Sequence, residues 1–260
     1  MAIPDHVVVV TGGAQGIGLS LVRQLVAGGR RVAMLDVSAE AAESASAELR
    51  AAGGDVFPFV LDVRDEAATQ KIAAQVESQL GPVDGLVTCA GTTRTAAAES
   101  MTLDNWKLVI DINHTGTFLS CQAFGRQMLA RGKGSIVTIS SSTGTGGQSG
   151  RANYAASKWA VIGLTKTLAI EWGNRGVRVN SIAPGPINTA LYNKVPEEFR
   201  EGVIRNRIPL KRPAEPVEVA QAILFLLSEH ASYVNGVVLN VDGGFTAGYL
   251  THKSGADLAA

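Results

Sequence analysis

Short apolar runs typical of buried strands alternate with helix-like stretches along nearly the whole chain of 260 residues. The strand-like runs are His6–Thr11, Arg31–Asp36, Asp55–Leu61, Gly85–Thr88, Gly134–Ser140, Val177–Ala183 and Gly236–Val241. The helix-like stretches are Gly16–Ala27, Ala39–Ala51, Glu66–Leu80, Leu103–Ala130, Ala152–Trp172 and Pro216–Ser228. This alternation predicts an α/β fold, in which helices cover both faces of a seven-stranded, mainly parallel, doubly wound sheet.

Neither a linker nor an internal repeat interrupts this pattern, so we expect one domain spanning residues 1–260. Two segments lack its regularity, at 184–213 and at 246–260. Long loops of compact domains commonly cover ligands, which predicts a substrate lid at 184–213 and leaves 246–260 as a C-terminal tail. Ligands of such sheets bind beyond the carboxyl ends of the strands, so functional residues are sought there.

Composition excludes several classes of partner. The 23 basic and 23 acidic residues balance, leaving no excess of positive charge for nucleic acid or an anionic membrane. The start of the chain resembles neither a signal peptide nor a membrane span, and a cytoplasmic protein is expected. Cys89 and Cys121 have no neighbours at metal-ligand spacing, so we expect no metal site and interpret both as small buried apolar residues.

The stretch TGGAQGIG, Thr11 to Gly18, follows the first strand and opens the first helix. Glycines at 12, 16 and 18 allow close approach to the backbone, and a helix N-terminus attracts anions. The arrangement predicts a cradle for a pyrophosphate. A tight turn with a purely structural role is the alternative, because the spacing departs from the commoner dinucleotide fingerprint.

The ends of the second and third strands bear on which nucleotide is bound. Asp36 lies where a carboxylate can accept hydrogen bonds from both ribose hydroxyls and repel a 2′-phosphate. Gln15, inside the loop, stands where a basic residue would hold that phosphate, so NAD is favoured over NADP. The alternative for Asp36 is a helix cap. Asp62 and Val63 are candidates for contact with adenine, although Asp62 also suits an ordinary turn.

Tyr154 and Lys158 are four residues apart, so on a helix they share one face. A neighbouring cation stabilises tyrosinate and lowers the tyrosine pKa, which lets the phenol exchange a proton with an alcohol. Ser141 can donate a second hydrogen bond to the same alcohol oxygen. Taken alone, the Tyr-x-x-x-Lys spacing also suits an ordinary amphipathic helix.

These regions together resemble the short-chain dehydrogenase/reductase family, over Val7 to about Phe245. The matching motifs are Thr11-Gly12-x-x-x-Gly16-Ile17-Gly18, Asp62-Val63, Ala90-Gly91, Asn113, Ser141, Tyr154-x-x-x-Lys158, Pro184-Gly185 with Thr189, and the ending NGVVLNVDGG. The resemblance implies a Rossmann-like fold, an NAD(P) cofactor and hydride transfer between nicotinamide and a secondary alcohol or ketone.

The resemblance also implies roles for individual residues. Tyr154 is the proton donor and acceptor, Ser141 orients the substrate oxygen, Lys158 lowers the tyrosine pKa and holds the nicotinamide ribose, and Asn113 positions a water in a proton relay. The alternative for Asn113 is an amide that caps a helix kink. The cofactor residues implied are Gly12, Gln15, Gly16, Ile17, Gly18, Asp36, Asp62, Val63, Ala90, Gly91, Tyr154, Lys158, Pro184, Gly185, Ile187 and Thr189.

One motif departs from the family pattern. Thr88-Cys89-Ala90-Gly91 stands where the family commonly has Asn-Asn-Ala-Gly. The usual asparagine connects the core of the sheet by side-chain hydrogen bonds, so its replacement puts that network in doubt without touching the chemistry.

The substrate is less constrained than the cofactor. Small and polar residues follow Ser141, which favours a modest polar substrate, sugar-like or a hydroxy acid. Gln148, Arg151 and Arg94 are candidates to bind it, and each also suits a surface or subunit contact. Two other functions stay open: an NADPH-dependent carbonyl reductase such as a 3-oxoacyl-[acyl-carrier-protein] reductase, which Asp36 disfavours, and a nucleotide-binding regulator without catalysis.

Assembly is predicted from the helix that carries Tyr154. Its continuation is apolar on more than one face, which predicts surplus apolar surface at Trp159, Ile162, Leu168 and Trp172. The family resemblance implies a homotetramer, and we expect the tail to reach the substrate site of a neighbouring subunit.

Overall fold

The computed structural model describes residues 7–193 and 197–248. Seven strands form one sheet in the order β3-β2-β1-β4-β5-β6-β7, and every neighbouring pair is parallel. The strands are β1 Val7–Thr11, β2 Arg31–Asp36, β3 Val56–Val60, β4 Val83–Thr88, β5 Gly134–Ile139, β6 Val177–Pro184 and β7 Val238–Val241. The doubly wound prediction is confirmed, and the sheet is fully rather than mainly parallel.

Nine α-helices lie between these strands within the described residues. They are α1 Gly16–Ala27, α2 Ala39–Ala51, α3 Glu66–Leu80, α4 Leu103–Ile110, α5 Gly116–Arg131, α6 Ala152–Gly173, α7 Ala190–Asn193, α8 Glu197–Arg207 and α9 Pro216–Leu227. None of them is both long and apolar enough to cross a bilayer.

Two apolar cores lie on opposite faces of the sheet because side chains alternate along each strand. In β1, Val7 and Val9 enter the core shared with α3, α5 and α6, whereas Val8 and Val10 enter the core shared with α1, α2 and α9. All four valines are almost completely buried, as expected for a central strand covered on both faces.

The chain reverses its winding direction between β1 and β4. Strands β2 and β3 extend the sheet to one side of β1, and β4 then returns to the other side. Loops leaving β1 and β4 therefore separate at their carboxyl ends and open a crevice, the usual ligand site of such sheets.

Most predicted boundaries agree with the structure, and one prediction is wrong. The continuous helix at Leu103–Ala130 is divided into α4 and α5 by a π-helical turn at Asp111–Thr115. The segment 184–213 also contains α7 and α8, which the sequence pattern did not indicate.

The surplus apolar surface predicted for α6 is mostly absent. Ile162, Leu168 and Trp172 are buried within the chain, and Trp172 packs so closely on α5 that a Cβ at Gly125 would lie 2.7 Å from its ring. Trp159 is exposed as predicted, and Ile170 is exposed as well. The single domain and the lid stay predictions, and the tail from residue 249 onward lies outside the described residues.

Candidate active site

The glycine loop after β1 contains three positions at which a side chain would either strain the backbone or clash. Gly12 and Gly16 have φ of +62° and +57°, a region that favours glycine. A Cβ at Gly12 would lie 2.8 Å from Ala90 Cα, and one at Gly18 would lie 2.1 Å from the Gly12 carbonyl oxygen. The loop therefore presses against both the loop after β4 and its own helix.

Helix α1 begins directly after this loop with open amide groups. Its N-cap, Gln15, makes no side-chain capping bond, and the first turn contains no acidic residue. Ile17 follows inside that turn. A helix N-terminus of this kind attracts an anion, so the loop and α1 fit the pyrophosphate of a dinucleotide.

Asp36 ends β2 beside this loop with its carboxylate buried. One oxygen accepts the Ala14 N–H at 3.1 Å and the other accepts the Ser38 N–H at 3.1 Å. The alternative role as a helix cap is wrong, because the Ser38 hydroxyl caps α2 by accepting from the Ala41 N–H. Each Asp36 oxygen keeps a further acceptor position for a ribose hydroxyl.

Asp62 and Val63 follow β3 on the same side of the sheet. Val63 is buried against the start of α5, where a Cβ at Gly116 would lie 2.5 Å from its methyl carbon. Asp62 accepts from the Arg64 guanidinium at 2.9 Å, and this bond holds the pKa of the Asp62 carboxyl below its ordinary value. An adenine contact at Asp62 would therefore compete with Arg64.

The loop after β4 is fastened to β1 by Thr11. The Thr11 hydroxyl accepts the Ala90 N–H at 3.2 Å, and the Thr11 carbonyl accepts the Cys89 N–H at 3.1 Å. These bonds join the loop to β1 at the motif where the side-chain network was in doubt. The Cys89 residue is only half-buried. Desolvation nevertheless raises the pKa of its thiol to about 12, so the thiol is protonated at neutral pH.

Asn113 lies in the π-helical turn between α4 and α5 and is fully buried. Its side-chain amide donates to the Thr92 carbonyl at 2.9 Å and to the Ser157 hydroxyl at 3.0 Å, and its side-chain oxygen accepts the Thr92 N–H at 2.8 Å. Asn113 therefore lies in a helix distortion and joins the loop after β4 to α6, whereas its role in positioning a water stays a prediction. Gly91 adjoins this junction, since a Cβ there would lie 3.4 Å from the Asn113 side-chain oxygen.

Ser141, Tyr154 and Lys158 converge where β5 ends and α6 begins. The Ser141 hydroxyl accepts the Thr143 N–H at 3.1 Å, and as a hydrogen-bond donor to the phenol it acts to lower the pKa of Tyr154. The Lys158 ammonium lies 5.7 Å from the centre of the Tyr154 ring and donates to the Ile139 carbonyl at 2.7 Å. Burial lowers the pKa of Lys158 to about 8.

The expected lowering of the Tyr154 pKa by Lys158 is not what this structure shows. Burial raises the pKa of the phenol above its ordinary value, while the hydrogen bond from Ser141 and the charge of Arg151 oppose that rise. The physical reason is that Lys158 is itself desolvated and directed to a backbone carbonyl. The cation that acts on Tyr154 here is Arg151.

The loop after β6 lies opposite the glycine loop. Pro184 ends β6, Gly185 packs against the backbone of Asp242, and Ile187 pairs with Ala214 in an isolated bridge. A Cβ at Gly16 would meet Thr189 Cγ2 at 3.8 Å. Thr189 therefore faces the cradle across the crevice.

The three substrate candidates have different surroundings. The side-chain oxygen of Gln148 accepts from the Thr143 hydroxyl at 3.2 Å. Arg94 bonds to Thr92 and Thr93 of its own loop. Of the three, Arg151 is the one beside Tyr154, with its guanidinium carbon 5.8 Å from the ring centre.

Sequence reasoning missed the supporting residues Thr92, Thr143 and Ser157. Ser157 is fully buried one residue before Lys158 and donates to the Tyr154 carbonyl while accepting from Asn113. A small polar residue on the inward face of a catalytic helix is the signal that could have identified it. Among the described residues, no group of three or more acidic, histidine or cysteine side chains could hold a metal ion.

A family model described as "Enoyl-(Acyl carrier protein) reductase", one of those of the short-chain dehydrogenases/reductases, matches residues 12–246. The chain belongs to the short-chain dehydrogenase/reductase family. As a member it is an oxidoreductase with an NAD(P) cofactor, acting on secondary alcohols and ketones. The regulator without catalysis is therefore excluded.

Relatives within the family differ in activity. A D-threitol dehydrogenase of Mycolicibacterium smegmatis is 42% identical over 94% of each chain. The 3-oxoacyl-[acyl-carrier-protein] reductase of Thermotoga maritima is 41% identical over 94% of this chain and 99% of its own. A Beutenbergia cavernae structure assigned as an NAD(P)-dependent gluconate 5-dehydrogenase, with NADP at low occupancy, has a TM-score of 0.88 and 38% identity over 94% and 97% of the two chains.

Proposed function

We propose that this chain is an NAD-dependent dehydrogenase that oxidises one secondary hydroxyl of a small polyhydroxy compound or hydroxy acid to the ketone. The observation that carries this proposal is the convergence of Ser141, Tyr154 and Lys158 where β5 ends, with the Lys158 ammonium 5.7 Å from the centre of the Tyr154 ring. Proton exchange and dinucleotide binding are thereby combined at one end of the sheet.

In the proposed reaction, bound NAD supplies the hydride acceptor. Tyr154 takes the hydroxyl proton of the substrate as the carbinol C–H bond breaks, and Ser141 donates a hydrogen bond to the same oxygen. Lys158, whose ammonium lies 5.7 Å from the centre of the Tyr154 ring, would hold the nicotinamide ribose. Asn113 holds the loop after β4 at a fixed distance from helix α6. This attachment preserves the alignment of Tyr154, Ser141 and Lys158.

The preference for NAD rests on Asp36. A 2′-phosphate would approach its buried carboxylate, where charge repulsion is strong because water is excluded. The adjacent Val37 and Ser38 carry no compensating charge, and Gln15 is neutral. The relative with bound NADP makes NADP the alternative to test.

The substrate class is supported by the small, polar segment at 141–150 and by the threitol and gluconate relatives. The second candidate is an NADPH-dependent 3-oxoacyl-[acyl-carrier-protein] reductase, favoured by the Thermotoga relative. Asp36 disfavours that cofactor and therefore that function.

We propose further that the enzyme is a cytoplasmic homotetramer. Two free cysteines suit a reducing compartment. Apolar side chains on opposite sides of the sheet are exposed and would be covered in such an assembly: Trp106, Phe118, Trp159 and Ile170 on α4, α5 and α6, and Val217, Phe225 and Tyr233 on and after α9. Exposed apolar patches of this kind are typical of subunit interfaces.

The proposed activity is tested by following absorbance at ~340 nm with a panel of alditols, sugar acids and hydroxy acids, each with NAD and with NADP. Reduction of an acetoacetyl thioester with NADPH is assayed in parallel. Oxidation of a panel member with NAD supports the proposal. If thioester reduction with NADPH is the only activity, the proposed dehydrogenase is contradicted and the 3-oxoacyl-[acyl-carrier-protein] reductase is supported instead.

A further inference from the structure

The three segments that form the substrate side of the crevice contain no acidic residue. They are residues 89–98 after β4, residues 140–158 after β5 and residues 184–193 after β6, and they carry Arg94, Arg151 and Lys158. A partly desolvated cleft lined by one sign of charge attracts ligands of the opposite sign. The pyrophosphate cradle, which accounts for one anion, is on the other side of this crevice at α1.

Arg151 is the cation of this group that lies next to the reacting phenol. It is the N-cap of α6, three residues before Tyr154, and the chain turns into the helix directly after it. Its guanidinium carbon is 5.8 Å from the Tyr154 ring centre, and its charge acts on the pKa of the phenol. Arg151 is half-buried, which strengthens its interaction with any nearby anion.

In the described part of the chain, no acidic side chain forms an ion pair with the guanidinium of Arg151. Eight other arginines there form ion pairs with carboxylates, and Arg94 bonds to its own loop. Among the described contacts, the N–H donors of the Arg151 guanidinium make no hydrogen bond, and its contact with the Tyr154 ring does not consume them. Lys158 differs, because it already donates to Ile139.

We propose that Arg151 binds a carboxylate of the substrate, and that the enzyme therefore acts on a hydroxy acid of the sugar-acid type. This proposal rests on the proposed function and narrows its substrate class. Arginine suits the task because its two parallel N–H groups match both oxygens of a carboxylate. The contact with the Tyr154 ring places the carboxylate only a few bonds from the hydroxyl that loses its proton.

The test compares matched substrates that differ only in the carboxylate. D-gluconate is paired with D-glucitol and D-threonate with D-threitol, each with wild type, Arg151→Gln, Arg151→Lys and the distant exposed control Arg126→Gln. We expect wild type to prefer the acids. Arg151→Gln should raise KM for the acids about 10- to 100-fold, as for loss of a charge-assisted bond, and leave KM for the alditols unchanged.

Arg151→Lys keeps the charge without the paired donors, so its KM should be intermediate. Calorimetric binding of each acid to the enzyme–NADH complex gives a readout that does not need turnover, and NADH fluorescence checks that every variant is folded. The proposal is overturned if the acids bind no better than the alditols, or if D-glucitol 6-phosphate is preferred to D-gluconate. Loss of the Arg151 charge should shift the pH profile for acid and alditol alike, so the discriminating quantity is KM. An unchanged KM for the acids in Arg151→Gln, with only kcat and the pH profile altered, would also overturn the proposal and make Arg151 a positioning residue for Tyr154.

These outcomes are distinguishable from failure of the proposed function. If alditols are oxidised with NAD and acids are not bound, the proposed dehydrogenase activity is supported and the proposed carboxylate site is refuted. If neither class is oxidised and only the thioester is reduced with NADPH, both the proposed dehydrogenase activity and the proposed carboxylate site are refuted.

Discussion

Asp36 is the residue on which cofactor choice depends. Its two oxygens already accept the Ala14 and Ser38 N–H groups, so the carboxylate is fixed in place before a nucleotide binds. Such preorganisation makes the bond to a ribose hydroxyl stronger and the repulsion of a 2′-phosphate larger.

We therefore expect Asp36→Ala to weaken NADH binding and strengthen NADPH binding, narrowing the gap between them by about 1.5–3 kcal/mol. Fluorescence titration of both cofactors measures the change. Glu40→Ala, at the exposed start of α2, is the matched control for loss of one negative charge. Equal affinities for the two cofactors in wild type would contradict the assignment.

Tyr154 should also impose a pH dependence of definite sign. Oxidation of an alcohol requires the phenolate, and burial raises the pKa of this phenol, so kcat/KM for oxidation should rise with pH through the alkaline range. Reduction requires the neutral phenol and should stay level at neutral pH.

Removing the Ser141 hydroxyl deletes a bond that lowers the Tyr154 pKa. The Ser141→Ala variant should therefore move the oxidation profile to higher pH, as well as slowing turnover. Ser142→Ala changes an adjacent buried serine whose side chain makes no hydrogen bond among the described contacts, and it should leave the profile in place. A shift to lower pH in Ser141→Ala would refute the assigned role.

At the scale of elements, the π-helical turn is the feature that sequence periodicity could not supply. Apolar spacing continues through 103–130, so the pattern predicts one helix. The π-helical turn coincides with the long-range hydrogen bonds of Asn113 to Thr92 and Ser157, which the spacing does not encode. Helices α2 and α3 were predicted to their ends because local caps, Ser38 and Asp65, fix where they begin.

Asn113→Ala should leave the Thr92 N–H and carbonyl without partners, costing on the order of 1–3 kcal/mol in the free energy of unfolding. It should also slow turnover, because the loop after β4 loses its attachment to α6. Urea unfolding and steady-state rates measure the two effects. Asn105→Ala, in the preceding helix and without a side-chain hydrogen bond among the described contacts, is the control. Unchanged stability in Asn113→Ala would mean that the turn is held by other contacts.

At the scale of the whole molecule, the parallel sheet and the crevice at β1 and β4 followed from the alternation of elements and from the glycine loop. The packing partners of individual side chains did not follow from that alternation. The sequence predicts exposed positions for Ile162, Leu168 and Trp172 on an all-apolar helix, yet all three are buried, and Trp172 packs on α5 where Gly125 leaves room for its ring. Long-range packing of this kind leaves no periodic signal.

Gly163 indicates how the proposed tetramer would form. It is exposed inside α6, where glycine is unfavourable by roughly 0.5–1 kcal/mol relative to alanine, and an added Cβ would meet nothing within 4 Å. Trp159 and Ile170 lie at helical spacing on the same face and are 51% and 81% exposed. A partner helix approaching closely at Gly163 would explain all three residues.

We expect Gly163→Leu to convert the tetramer into smaller species while its circular dichroism stays native. Light scattering at micromolar concentration reports the mass. Ala47→Leu, an equal apolar addition on the exposed side of α2, should leave the assembly intact. A wild type that is monomeric would contradict the interface.

The central claim is that Tyr154 exchanges the proton that accompanies hydride transfer. Replacing Tyr154 with Phe removes only the phenolic oxygen and keeps the ring that packs beside Lys158 and Arg151. The most direct measurement is the oxidation rate of this variant at saturating substrate, with its NADH affinity determined on the same preparation. The account predicts a rate lower by about 10²–10⁴-fold with NADH binding nearly unchanged, whereas a rate close to that of wild type in the folded variant would contradict it.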